Sequence, residues 1–561
     1  MTKSKRAGSG PQRRSLAVGI PPTGGWKETF LQYAGIPRVR LASIKEGLEQ
    51  GIRVFLWNRE DPFFGERQGE KIVVITENGF LKGLLKLTSL ENRSSCFTVD
   101  QGPFSERSFY VHAPCETLPG LSNGQGACCD SEGRRIEHSG ITLHEWNQVL
   151  FVSLPWNLLD VQMGAHWEFR PFYSPFVRKH FAETGPFVDF GALRRLFLAL
   201  VLHGFRHLGL PLVRRQYPFS GQPAFCFRVD ADGFSRDSTD SVLRISKAIG
   251  GAPFTWFIDV QGWGRNIRHV RDLIENRQEV ELHCYHHMTY RREKVNRVNL
   301  KMGMRGLGRH GIRPAGVGSP YGFWFEGYQE AVRKLGFTYS SEFAFNCDDV
   351  PSFPYNDSRY PLQVPVHVGS IGVFEKIRFS PEEMFVHLQG SIEKAVQDCG
   401  CALLCDHPLG RIERCEREFI ELLQALVKKG YRPIPVSEYA KQARQFLLHD
   451  FQAFLVDRSV FIEPSWPGSP RFEIFPPEGK AVQAGNRFDA VFGDSLNQAR
   501  DEYVCPARPE FDRFLTEHDK DQRLTNLTLS QWYRGLTRHH LSRVRRELKG
   551  FLRRAVHSDV T

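Results

Sequence analysis

The stretch that decides the fold is Phe225–Phe234, FCFRVDADGF, read together with Glu281–His287, ELHCYHH, about fifty residues downstream. Each starts as a short run with strand character and ends in side chains able to bind a divalent cation. Side chains on a strand alternate between faces, so Asp230 and Asp232 project the same way from the end that Phe225, Phe227 and Val229 anchor. Gly233 follows at once, where a glycine lets the backbone turn sharply toward a helix. His283 and His287 are four apart, a spacing that brings two imidazoles to one site from a helical turn or from a tight loop after a strand. One carboxylate and two imidazoles make a three-ligand set for catalytic zinc, with a coordination position open for water. The other carboxylate is then free to act as a base on that water.

Either half alone has a plain alternative. An Asp-x-Asp after a strand can be a solvated turn, and a His-x-x-x-His can be the exposed face of a helix. The order of the two, each closing a strand-like run in neighbouring βα repeats, favours one shared site.

At these residues the sequence resembles the NodB-homology polysaccharide deacetylases, carbohydrate esterase family 4, over roughly residues 218–445. The Asp-x-Asp spelling and the doubled histidine, His286 and His287, are most similar to the branch that includes the amino-arabinose lipid deformylases. The resemblance implies a distorted (β/α) barrel with Asp230 as catalytic base and Asp232, His283 and His287 as ligands of a divalent metal, most simply Zn2+. GSPYG, Gly318–Gly322, stands for the family's Arg-x-Pro-Tyr-Gly motif, which implies that the Tyr321 backbone N–H helps to hold the oxyanion. Gly318 replaces the arginine that tethers the base in the family, and Arg228 or Arg313 is the expected substitute. The family's wall aspartate falls on Asp348 or Asp349, with a solvated turn before Pro351 as the alternative for that pair. LCDHP supplies the Leu-x-x-His motif, implying Leu404 in the acyl pocket and His407 as the general acid. Trp324 is grouped with Leu404, Asp348 and Asp349 as substrate-binding. Asp406 adjoins His407, but neighbours on a strand face opposite ways, which leaves their partnership open.

Outward from the motifs, the pattern divides the 561 residues into several units, since one ordinary core does not extend over such a length. Residues 1–25 read as a flexible basic tail without the apolar stretch of a secretory signal or an anchor. Residues 26–215 read as an α/β domain, with RVFLWN, KIVVIT, SFYVHA and VLFVSLPW as strands and an amphipathic helix near 188–208 leading out of it. Within 216–445, strands near 225, 254, 280, 315, 338, 402 and 432 alternate with helical stretches, the pattern of a parallel barrel with its site at the strands' C-terminal ends. Residues 446–561 read as a small β-rich segment, AFLVDRSVFIEP and RFEIFPP, followed by a basic amphipathic helix. On that helix Leu541, Val544 and Leu548 mark one face, while Arg543, Arg545, Arg546 and Lys549 crowd the rest. This fits an anionic membrane surface, or a helix docked on the protein with a solvated basic face.

At 41% hydrophobic and 24% charged the chain is globular, and a net charge of +11 favours an anionic partner. With no RNP, zinc-finger or Walker pattern, nucleic acid is set aside for an acidic glycan or anionic lipid. Twelve cysteines lie scattered, several in apolar runs where Cys401 and Cys405 share a strand face, so buried thiols of a reducing compartment are expected. LRRLFLALVLHGFRHLGLPLV is too interrupted by charge to span a bilayer. The reading is a cytoplasmic hydrolase, peripheral at a membrane, that removes an acetyl or formyl group from an amino-sugar glycan or its lipid-linked precursor. The alternative, raised by Gly318, is a catalytically weakened relative that binds glycan or a biosynthetic partner.

Overall fold

The computed structural model describes residues 13–489, apart from stretches of which the longest are 99–107, 117–126, 130–140, 155–166 and 343–349, and then residues 527–534. Its central feature is an all-parallel sheet whose strands, in chain order, are β1 Ala224–Ala231, β2 Thr255–Asp259, β3 Glu279–Cys284, β4 Gly316–Gly318, β5 Tyr339–Glu342, β6 Leu362–Pro365, β7 Cys401–Asp406 and β8 Arg432–Pro433. The spatial order is β6-β5-β4-β3-β2-β1-β7, with β8 also on β1. Every residue of β1 is buried, as expected of a strand covered on both faces. Its odd-numbered side chains Phe225, Phe227 and Val229 pack with helices outside the sheet, in a core that also holds Phe419 and Leu423. Its even-numbered side chains face the interior, where Cys226 joins Phe257, Tyr339 and Leu403.

The sheet curls upon itself. Between β1 and β5 lie four strand spacings, about 19 Å on a flat sheet, yet Arg228 Nη1 on β1 donates to the Ser341 carbonyl oxygen on β5 at 2.7 Å. That contact requires a nearly closed barrel, the class the alternating βα pattern predicts.

The strands expected from the sequence in this region fall within a few residues of those observed, but β6 was not among them. Its run LQVP is bracketed by Pro361 and Pro365, which read as breakers. At the end of the sheet order one backbone edge needs no partner, so proline is tolerated there.

The N-terminal unit holds a six-stranded sheet in the order 142–146, 149–154, 72–77, 54–56, 18–20, 38–40, parallel except at the first pair. Val73 and Ile75 pack on one face with residues of helices Gly25–Ala34 and Phe190–His207; Ile72 and Val74 pack on the other with Phe55, Trp57 and Phe151. Strands at Arg13–Ser15 and Val18–Ile20 correct the reading of 1–25 as a tail: Leu16, Val18 and Ile20 are each 0% exposed, an apolar run too short to register against the basic residues before it. Arg13–Ser15 pairs antiparallel with Phe451–Val456, and Leu212–Arg215 with Phe472–Phe475. Phe451, Ala453, Val460, Ile462, Phe472 and Ile474 thus belong to the same core as Leu16 and Val18.

A two-stranded ribbon, Trp167–Ser174 with Lys179–Pro186, reaches the barrel through Ser174 and Phe181. His387, on helix Pro381–Cys399, lies 2.7 Å from Ser174 Oγ and 5.3 Å, ring to ring, from Phe181. No helix among the described residues is long and apolar enough to cross a membrane. The basic helix beyond Arg534 lies outside the described residues.

Candidate active site

Asp230 ends the inward face of β1 and is 6% exposed. Arg228, two residues earlier on that face, grips it with both arms, Nε to Oδ1 at 2.6 Å and Nη2 to Oδ2 at 2.9 Å. Arg228 is itself 1% exposed, donates to Ser341 O and Oγ at 2.7 and 2.8 Å, and lies over the Phe257 ring. Burial acts to raise the Asp230 pKa, but the Arg228 charge and hydrogen bonds outweigh it and hold the carboxyl below its ordinary value. Between the two expected substitutes for the missing arginine, the structure puts Arg228 on the carboxylate, while Arg313 is exposed. Gly318 is what makes room: a Cβ there would stand 2.8 Å from Arg228 Nη2 and 2.9 Å from Phe257 Cδ1.

Asp232 sits just past β1, in the turn that Gly233 continues. Its Oδ1 is 3.4 Å from His283 Nε2 and 3.1 Å from His287 Nε2, and these two nitrogens are 3.2 Å apart. Its Oδ2 is 3.3 Å from His407 Nε2. Burial would raise this carboxyl's pKa, but the close imidazoles of His283, His287 and His407 carry it well below the ordinary range.

Two features show that Asp232, His283 and His287 fit a divalent cation. His283 Nδ1 lies 2.8 Å from the Gly318 carbonyl oxygen, to which it donates, so Nε2 presents a lone pair toward Asp232 and His287. Asp232 Oδ1 is buried yet makes no well-aligned hydrogen bond, although both imidazole nitrogens are close by. Among the described residues these three form a group whose ligand atoms all lie within 4.8 Å of one another.

The loop carrying His287 is shaped by two residues that no motif reading singled out. Asn299, on helix Glu293–Gly308, accepts from the His286 N–H at 2.8 Å and donates to the carbonyls of His286 and Met288. Asn296, one turn earlier, accepts from the Tyr290 N–H at 2.9 Å and donates to the Tyr290 carbonyl at 2.6 Å. Each is 1% exposed. Two buried side-chain amides thus do for the loop what a neighbouring strand would do. Gly262 was also missed; a Cβ there would meet the Asp232 carbonyl oxygen at 1.9 Å, so the turn bearing Asp232 can lie this close only to a glycine. Asp259, ending β2 nearby, is 4% exposed, and burial pushes its pKa up to about 7.

His407 follows β7 and faces Asp232. Burial lowers its pKa, but hydrogen bonds to Asp232 and Asp406 prevail and hold it at about 9. Asp406 does partner it: Oδ1 accepts the His407 backbone N–H at 2.8 Å and lies 3.7 Å from Nδ1, while Oδ2 accepts the Ile371 N–H at 2.8 Å. Arg411 Nη1, 2.8 Å from Nδ1, shares that carboxylate.

The expected substrate wall is placed differently. Leu404 shares a face with Ala402 and packs outside the sheet in the core with Phe227 and Phe419, because alternation on β7 turns it away from the interior. Cys405 is the inward neighbour, its Sγ 3.6 Å from Asp230 Oδ2. Trp324 is 4% exposed, so its ring offers little surface to a ligand. Tyr321 is 48% exposed, its ring is 5.0 Å from that of His287, and its φ of 59° puts its backbone in the left-handed region. Asp348 and Asp349 lie outside the described residues.

Fold and site together define a parallel α/β barrel with a carboxylate–imidazole cluster at the C-terminal ends of its strands. No family model and no curated protein matches the chain. Among solved structures it is similar to a probable polysaccharide deacetylase from Pseudomonas aeruginosa PAO1, at 16% identity over 41% of this chain and 95% of that one, with a TM-score of 0.37. A peptidoglycan deacetylase variant from Bacillus subtilis matches at 15% identity over 40% and 94%, with a TM-score of 0.29. A carbohydrate esterase family 4 pseudoenzyme from Bacillus anthracis matches at 12% identity over 40% and 67%, with a TM-score of 0.30.

Proposed function

We propose that this chain is a metal-dependent hydrolase that removes an N-acyl group, acetyl or formyl, from an amino sugar in a glycan or lipid-linked glycan precursor. The observation that carries the proposal is the pairing of two carboxylates held by different partners. Asp230 is held ionised by Arg228, and Asp232 is turned toward the imidazoles of His283, His287 and His407.

Asp232, His283 and His287 would hold the cation. When bound, such a cation supplies Lewis acidity, polarising a carbonyl oxygen and making a water molecule a stronger acid. Asp230 accepts the proton from the attacking water at a carboxylate oxygen, a role its low pKa allows at neutral pH. His407, whose Nε2 faces Asp232, would give a proton from that atom to the departing sugar nitrogen. The Tyr321 backbone N–H would donate to the carbonyl oxygen as charge develops there. Arg228 supports the catalytic reading over the binding-only one, since it supplies the tether whose absence at position 318 prompted that alternative. The substrate proposal carries with it a cytoplasmic site of action, peripheral at a membrane. It also carries attraction of the basic C-terminal region to anionic lipid and no role for nucleic acid.

The test is zinc content together with acetate and formate release from a panel of N-acylated amino sugars and glycans. One zinc per chain and release of one acid are expected, both lost in Asp232→Ala, with release alone lost in Asp230→Asn. A wild-type protein that takes up no metal under zinc loading would refute the reading.

A further inference from the structure

The described C-terminal segment reaches the loop that carries His287. Residues 529–534 are helical, and Trp532, only 3% exposed, joins Met288, Tyr290 and Val295 in a small apolar cluster against which Leu527 and Leu529 also pack. Trp532 Nε1 donates to the Tyr290 hydroxyl at 2.9 Å, and that hydroxyl is 2.8 Å from His286 Nδ1. An indole N–H can only donate, so the hydroxyl's own hydrogen is available to His286. A chain of two hydrogen bonds therefore runs from Trp532 through Tyr290 to the residue preceding His287. The far side of the same loop is held by Asn296 and Asn299. The loop bearing a ligand imidazole is thus clamped between one helix of the barrel and a segment 242 residues away from Tyr290.

We propose that residues 527–534 act as a clasp on the loop 285–290, with Trp532 and Tyr290 as positioning residues that set the affinity of the cation site by fixing His287. The inference rests on the metal-site reading above. A ligand on an ordered loop binds without the entropy cost of ordering it, so loosening the clasp weakens binding while leaving all three ligands in place.

The test uses the full-length protein, Trp532→Phe, Tyr290→Phe, the double variant, Trp532→Ala, and a chain ending at Asn526. Zinc affinity is read by competition with a chromogenic chelator, hydrogen exchange over residues 285–290 by mass spectrometry, and the global unfolding midpoint by calorimetry. Trp532→Phe keeps a smaller aromatic ring but not the donor, and its zinc dissociation constant is expected to rise about fivefold, with the midpoint little changed. Trp532→Ala and the shortened chain are expected to lose about tenfold or more, with faster exchange at His286 and Tyr290. Because Trp532 and Tyr290 act through one bond, the double variant should bind zinc no more weakly than Tyr290→Phe. Zinc affinity within twofold of wild type in both Trp532→Ala and the shortened chain overturns the clasp, as do additive losses in the double variant. If the wild type binds no zinc, the metal-site reading falls, and exchange then judges the contact alone. Unchanged exchange in Trp532→Ala overturns the clasp; faster exchange supports the hold on the loop.

Discussion

Replacing Arg228 with methionine is the perturbation that most directly probes the site. Methionine fills most of the volume but leaves the Asp230 carboxylate, 6% exposed, without its partner. Removing one member of a buried ion pair costs about 3–5 kcal/mol. At roughly 2–4 °C per kcal/mol for a unit of this size, the barrel's unfolding midpoint should fall by about 6–20 °C. The sign of the pH dependence is the sharper check. In the wild type the folded pKa of Asp230 is depressed, so its contribution is present above the unfolded value and lost as pH falls through the folded one. Without Arg228, burial is opposed much less and the folded pKa rises above the unfolded value near 4. The variant then gains stability as pH falls from neutrality. The gap between wild type and variant should therefore be widest near pH 7 and narrow steadily toward pH 4, read by calorimetry across that range. Adding Asp230→Leu to Arg228→Met should recover most of the loss, since two apolar groups leave no charge stranded. A gap that stays constant with pH, or losses that simply add in the double variant, would refute the pairing and the tuning of the base.

Gly318→Ala places a methyl group 2.8 Å from Arg228 Nη2 and should cost about 1–3 kcal/mol by unfolding midpoint. Asn299→Ala strips partners from the His286 N–H and two carbonyls; it should cost about 1–3 kcal/mol and weaken zinc binding about tenfold by chelator competition. Burial pushes the His387 pKa down to about 4, so the folded state binds fewer protons than the unfolded one between that value and about 6.5. Stability from this group is present above pH 6.5 and lost as pH falls toward 4, by up to about 3 kcal/mol; in His387→Gln that part of the slope should vanish.

Much of the site could be read from strand parity. Asp230 and Arg228 share a face, and the same rule places Leu404 on the outward face of β7, against the motif that assigned it to the acyl pocket. The same rule favours Arg228 over Arg313 as the tether, but the anchoring of Arg228 on Ser341 was not legible, because it depends on β1 curling to within reach of β5. Asn296 and Asn299 were invisible for a different reason: they bind main-chain groups, which leave no mark on the sequence they hold. In the fold, long apolar runs such as β1 announced themselves, while β6 was hidden by prolines that only its place at the sheet's edge permits. The strand at Arg13–Ser15 was hidden because it is a strand only by virtue of Phe451–Val456.

That last pairing bears on how the protein is made. A ribosome adds about 5–20 residues per second, so Arg13–Ser15 emerges roughly 20–90 s before the strand it will pair with. The last barrel strand ends at Pro433 and so precedes Phe451 by only about 1–4 s, whereas the amino-terminal core lacks Phe451, Val460 and Phe472 through the whole of the interval. Newborn chains should therefore carry an open apolar face for most of their synthesis, one for chaperones to shield until the final strands arrive.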